Sequence, residues 1–314
     1  MSTIRRFALV FLAAIVFLPS PAAAQQKKAL TQADWDKWKS ISGAMLTSDG
    51  KWAGYSISPL VGDGEFVVHA TNGNTEYRVP RGYLGRPNNV PGGLRPRAGG
   101  NPEDEPAGPQ IAAGQFTHDS KYALVLTYPA QVEFDRVARD RRRAAAVQNR
   151  SDLAIVRLSD GNVTTVPRVR SFRLPRFSGA WVAYIAADST ADSAGARPSG
   201  QQGARPAAGP RRRFGTTLTL RNMGTGAEEK IADVMEYAFD DSARVLVYSV
   251  VSRADGKDGV FSRTLASGAV ATLASGKGDY DQLTLDRVGA QVAFLTNKDE
   301  FGKEGATYAL YVGA

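Results

Sequence analysis

An internal repeat limits the fold of this chain more than any composition figure does. The stretch FTHDSKYALVLTY, from Phe116 to Tyr128, has a counterpart in LTSDGKWAGYSIS, from Leu46 to Ser58. Each places a large apolar residue first, an Asp three positions on, then a polar turn with Lys and an aromatic, then alternating apolar residues. Three further copies begin at Phe177 (FSGAWVAYIA, its turn shorter by two residues), Phe239 (FDDSARVLVYSV) and Leu285 (LDRVGAQVAFLT). In four copies an aromatic closes the alternation: Tyr55, Tyr184, Tyr248 and Phe294. Asp-Gly and Asp-Ser supply a tight turn, and period-2 alternation marks half-buried strands, so each copy reads as a β-hairpin.

A second hairpin follows most copies: VVHATNGNTEYRVP, LAIVRLSDGNVTTVP, LTLRNMGTGAEEKIA and GVFSRTLASGAVATLA. Their turns centre on Asn72–Gly73, Gly161, Gly226 and Gly268, where a positive φ favours glycine. The unit is therefore four strands long. With the stretches 81–110, 129–150 and 188–213 set aside as insertions, the anchors recur every 36 to 46 residues. A four-stranded propeller blade needs about 40–45. The spacing predicts an all-β β-propeller of about five recognisable four-stranded blades, partial or five-bladed, with a short N-terminal helix. Asp49 and Asp119 recur at one hairpin position, so turn chemistry explains them better than a catalytic carboxylate pair.

The predicted propeller occupies residues 46–314, preceded by a helical segment over 25–45. Residues 1–24 read as a signal peptide: Arg5 and Arg6, the apolar run Phe7–Leu18, then an Ala-x-Ala site ending at Ala24. The apolar run is too short to span a bilayer. The expectation is an exported protein, periplasmic or extracellular, with no membrane span after cleavage. Cysteine is absent, which excludes disulfides, a thiol nucleophile and Cys-based zinc sites. The net charge of +8 sits largely in Arg-rich insertions, and no nucleic-acid partner is expected. In the helical segment, Thr31 caps the start with Asp34 three residues on. Trp35 and Trp38 are expected to pack on the propeller or on a partner domain. The segment around VEFDRVARDRRRAAAV has helix-forming composition, and 188–213 is low in complexity.

No catalytic, cofactor-binding or metal-ligating constellation emerges. There is no G-x-S-x-G elbow, Walker loop or dinucleotide fingerprint. The two histidines, His69 and His118, have no serine at an informative spacing and read as surface residues.

The stretch ALTQADWDKWKSISGAMLTSDGKWAGYSISPLVGDGE at 29–65, with the hairpins that follow, resembles the start of exported bacterial prolyl oligopeptidase-family serine peptidases. The hairpins alone are also similar to TolB-like propellers. The resemblance implies a noncatalytic propeller that gates peptide access to an α/β-hydrolase domain, whose Ser, Asp and His carry the chemistry. No position here matches those residues, so the hydrolase domain is expected to lie outside this chain, which closes with TYALYVGA. The alternative is a stand-alone periplasmic TolB-like propeller that binds another protein. An unclosed propeller would leave apolar faces exposed and sticky, and a small ring of five blades would not.

Overall fold

The computed structural model describes residues 31–84 except 36, 114–140, 150–186 and 212–313, together with 143, 146 and 147. The expected leader, most of the 81–110 stretch and residues 187–211 lie outside the described residues. The chain divides into a unit ending at Trp38 and a unit running from Lys39.

In the first unit, α1 spans Gln32–Trp35. Thr31 caps it as its sequence indicates, donating from its amide and its hydroxyl to Asp34 Oδ2 at 3.0 and 2.7 Å. The helix is shorter than the expected helical segment. Strand structure begins at Lys39, where Ser40, Ile41 and Ser42 find cross-strand partners in Ser58, Ile57 and Ser56; pairing outweighs local helix propensity there.

The second unit consists mainly of antiparallel sheets laid down in chain order. Sheet one contains β1 (Lys39–Leu46), β2 (Trp52–Pro59), β3 (Gly64–Ala70) and β4 (Glu76–Gly82). Sheet two contains β5 (Gln115–Phe116), β6 (Tyr122–Thr127), β7 (Asp152–Arg157) and β8 (Val163–Val166). Then come β9 (Val169–Arg173), β10 (Trp181–Ala186), β11 (Thr216–Asn222), β12 (Glu228–Phe239), β13 (Val245–Val250), β14 (Gly259–Thr264) and β15 (Val270–Ser275) in one seven-stranded sheet. The last three, β16 (Tyr280–Leu285), β17 (Val292–Thr296) and β18 (Ala309–Gly313), make a three-stranded sheet.

The four-strand period is visible in the first two sheets, and the later ones depart from it. β12 is twelve residues long and serves both as the last strand beside β11 and as the first strand beside β13. Its register shifts between Val234 and Glu236, directly after Asp233, which sits at φ +57°. A bend in one long strand thus joins what the spacing treats as two separate blades. Among the described residues no strand pairs the last sheet with the first.

The predicted second hairpins form as β3–β4, β7–β8, β11–β12 and β14–β15. Gly161, Gly226 and Gly268 lie at φ +71° to +73° in their turns. The strands are buried more fully than alternation implies. In β6, Ala123 and Val125 pack toward sheet one beside Phe66, Val68 and Val79. Leu124 and Leu126 point the other way, onto Val169, Phe172, Val182 and Tyr184. In β13, Leu246 and Tyr248 join the preceding layer, whereas Val247 packs with Tyr280, Val292 and Phe294 of the last sheet. Three apolar clusters therefore lie between successive sheets, and a fourth lies within the seven-stranded sheet, between its β10–β11 and β12–β13 parts; each fully buried Leu or Val contributes about 1.5–3 kcal/mol.

Polar ties fix neighbouring sheets as well. β4 extends through Arg81 and Gly82, the first two residues of the stretch set aside as an insertion. Arg81 is buried and donates to Ser56 Oγ at 2.7 Å and to Leu126 O at 3.1 Å. That burial lowers the Arg81 pKa; the adjacent Tyr128 is raised by its own burial, against the opposing pull of Arg81. Within 129–150, α2 (Gln131–Val137) docks on the loop before β3: Asp63 Oδ1 accepts the Gln131 amide, and Gln131 Oε1 accepts the Gly62 amide. No helix among the described residues is long and apolar enough to cross a membrane.

Candidate functional site

The recurring hairpin turns are built by one shared device. In four of the five turns the residue after the anchor accepts the backbone amide five positions on, the shortened Phe177 turn being the exception: Thr47 from Trp52 at 3.0 Å and Thr117 from Tyr122 at 3.1 Å. Asp240 accepts likewise from Val245 at 2.8 Å and Asp286 from Gln291 at 3.0 Å. Asp49 and Asp119 then accept the amides of Lys51 and Lys121 two residues on. Bonds from the Thr47 hydroxyl and the Lys51 amide hold the Asp49 carboxyl below its ordinary range. The turn reading of these aspartates accounts for their contacts.

These turns touch one another in chain order. Ser48 Oγ lies 3.1 Å from His118 Nδ1, and the Asp49 amide donates to Ser120 Oγ at 3.3 Å. The His118 ring meets Phe177 at 5.5 Å. The Phe177 amide donates to Asp241 O at 2.7 Å, and the Asp241 amide donates to Arg287 O at 3.0 Å. All five turns thus gather at one end of the stacked sheets. The fold brings Ser48 beside His118, a pairing that no sequence spacing indicates. Seventy positions separate the two residues, so only alignment of equivalent turns could have revealed them. Both are exposed, and the pair stitches two hairpin tips together. His69 lies elsewhere, on β3 opposite Ala53 and Glu76.

Beside these turns is a cleft of about 450 Å³. Met45, Leu46, Phe116 and Leu174 give it apolar walls, and Ser48 and Arg176 stand at its polar rim. It is lined by β1, by β5 and by the segment after β9. β1 and β5 are each the edge strand of their sheet. Leu46 is 65% exposed, while Arg176 lies 3.8 Å from Asp241 and covers the Phe177 ring at 5.0 Å. Such a surface suits an extended peptide, since edge-strand backbone and alternating apolar contacts are what a peptide strand uses.

Trp35 and Trp38 stack on each other with ring centroids 4.9 Å apart, and both are about half exposed. They belong to the unit before Lys39. Among the described residues no group of three or more His, Cys, Asp and Glu side chains is arranged to hold a metal ion.

No protein-family model and no curated protein sequence matches this chain. Solved structures are similar at low identity. The β-propeller domain of the Trilobed protease from Pyrococcus furiosus matches at 8% identity, with 88% of this chain and 69% of that one covered, at a TM-score of 0.41. TolB from Acinetobacter baumannii matches at 12% identity, with 87% and 51% covered and a TM-score of 0.34. Pyrococcus horikoshii acylaminoacyl peptidase matches at 8% identity, with 88% and 39% covered and a TM-score of 0.39. The chain spans 51% and 39% of the lengths of the last two. These likenesses transfer no activity and no residue role to it.

Proposed function

We propose that this chain is a noncatalytic, propeller-type peptide-binding module. In this reading it is exported by its basic and apolar leader and belongs to a prolyl oligopeptidase-like serine peptidase. It receives flexible peptide segments at the turn-end cleft and restricts the access of longer folded chains to a hydrolase domain outside it. The observation that supports this reading best is the cleft's position on the leading edge strands β1 and β5. An extended chain can pair with those edges along its length, whereas in a folded chain most strands are already paired.

Fluorescence anisotropy of the full chain with a labelled, uncharged, unstructured peptide tests this reading. Leu46→Glu should weaken binding about tenfold, and Val270→Glu, on the exposed face of β15, should leave it unchanged. Equal effects of the two variants would reject the cleft as the binding site.

A further inference from the structure

Each layer of the second unit turns one face forward, toward the layer that follows it in the chain, and one face backward. The repeat fixes which residues do so. In β6, Leu124 and Leu126 face forward, as Val247 does in β13, and all three are buried. Ala293 and Leu295 hold the same places in β17, counted from Leu285 as Leu124 and Leu126 are counted from Phe116, and they are only half-buried. The next strand repeats the contrast. Leu153 and Ile155 of β7, opposite Leu126 and Leu124, are buried, as are Leu218 and Leu220 of β11. In β18, Leu310 and Val312 stand opposite Leu295 and Ala293 and are 66% and 69% exposed. The forward face of the last sheet keeps the apolar residues of an inner layer without a layer to cover them.

The first sheet shows the reverse. Ala123 and Val125 in β6, Leu246 and Tyr248 in β13, and Val292 and Phe294 in β17 face backward onto the preceding layer, and all are buried. Ala53 and Tyr55 hold those places in β2 and are half-buried. Ile57 lies on the same face by strand alternation. Ile41 of β1 stands directly opposite Ile57 and is 67% exposed.

The packing inside the chain says what fits these two faces. In all four apolar clusters a forward face meets a backward face. The uncovered forward face and the uncovered backward face are the two halves of one more such pair. They do not cover each other within one chain, because Leu310, Val312 and Ile41 all stay mostly exposed.

We propose that this chain self-associates head to tail. The forward face of the last sheet, centred on Leu310 and Val312, packs on the backward face of the first sheet of a second copy, centred on Ile41 and Ile57. The contact continues the packing already present between layers, with the second copy as the next layer. Its two sides differ, so addition of copies either closes into a ring or continues. A face of three short strands covers on the order of 300 Å² in plan, below the ~800 Å² per partner of a standard stable interface, so the association is reversible. It does not rest on peptide binding at the turn-end cleft.

Sedimentation velocity of the full chain over a range of concentrations tests this. The chain should be monomeric at about 1 μM and associated at about 100 μM. Leu310→Glu and Ile41→Glu, both at exposed positions, should each weaken association about tenfold or more, since each buries an unpaired charge in the contact. Val270→Glu, at another exposed apolar position, should leave association unchanged. An equimolar mixture of the Leu310→Glu and Ile41→Glu chains should form a one-to-one dimer that grows no further, because one intact face of each kind remains. A chain that stays monomeric at about 100 μM would overturn the proposal. So would an equal loss with Val270→Glu, or a mixture of the two variants that stays monomeric. The unsubstituted chain and the Val270→Glu control still decide if one of the other variants does not fold.

Discussion

Thr47 and Asp240 hold the same turn position in the first and fourth hairpins, and each side chain accepts the amide five residues on, at 3.0 and 2.8 Å. Asp240 also accepts the Arg244 amide at 2.6 Å and is wholly buried. Asp240→Ala should therefore leave two partly buried backbone donors unpaired and destabilise the protein by about 1–3 kcal/mol. Asp240→Thr keeps one acceptor and should recover part of that loss. Urea denaturation of the three proteins checks the order.

Gly82 and Gly50 both sit at positive φ, +72° and +69°, in different surroundings. A Cβ on Gly82 would lie 2.0 Å from Tyr128 O, at the seam where β4 meets sheet two, whereas Gly50 faces open space. Gly50→Ala should cost about 1–2 kcal/mol from backbone strain alone. Gly82→Ala should exceed it clearly, at about 3 kcal/mol or more, because backbone must move. Thermal melts of the two variants measure the difference.

Leu124 is fully buried between sheets, and Leu310 is 66% exposed on the edge strand. Leu124→Ala should cost about 2–5 kcal/mol by leaving a cavity. Leu310→Ala should fall within about 0.5 kcal/mol. A comparable loss at both positions would contradict the layered packing.

Alkaline pH should loosen the fold. Burial pushes Tyr237 and Tyr280 up to about 12 from an ordinary value of 10.0. Between those values the folded chain keeps protons that the unfolded chain has released, so stability is intact below pH ~10 and falls as pH rises toward ~12. Tyr237, nearly enclosed, should account for on the order of 2 kcal/mol of that fall. Melting temperature followed against pH, with tyrosinate absorbance, tests the sign; a stability that rises above pH ~10 would refute it.

The hairpins were legible in the sequence because their information is local. A polar turn and apolar alternation are enough to place β2, β6, β13 and β17, and glycine marks the outer turns. Phe177 shows where the pattern weakens. Its turn is two residues shorter, β9 ends at Arg173, and Phe177 stands 54% exposed beyond Pro175. The joining of two expected blades through β12 was not legible, since it depends on a bend at Asp233 rather than on residue type. The candidate site and the other long-range contacts were less legible still. Ser48 meets His118, and Arg212 meets Asp258 and Asp279, across 46 to 70 positions, and period-2 patterning carries no record of which turns or strand ends become neighbours. Arg81 looked like the start of a loop because an arginine is rarely fully buried.

Hydrogen–deuterium exchange of the full chain, with and without a saturating uncharged unstructured peptide, tests the central claim most directly. Peptide should protect backbone amides in 43–48, 114–116 and 174–176, the segments that line the turn-end cleft. Protection confined to other segments, or none at saturation, would contradict the account of this chain as a module that receives peptides on its leading strands.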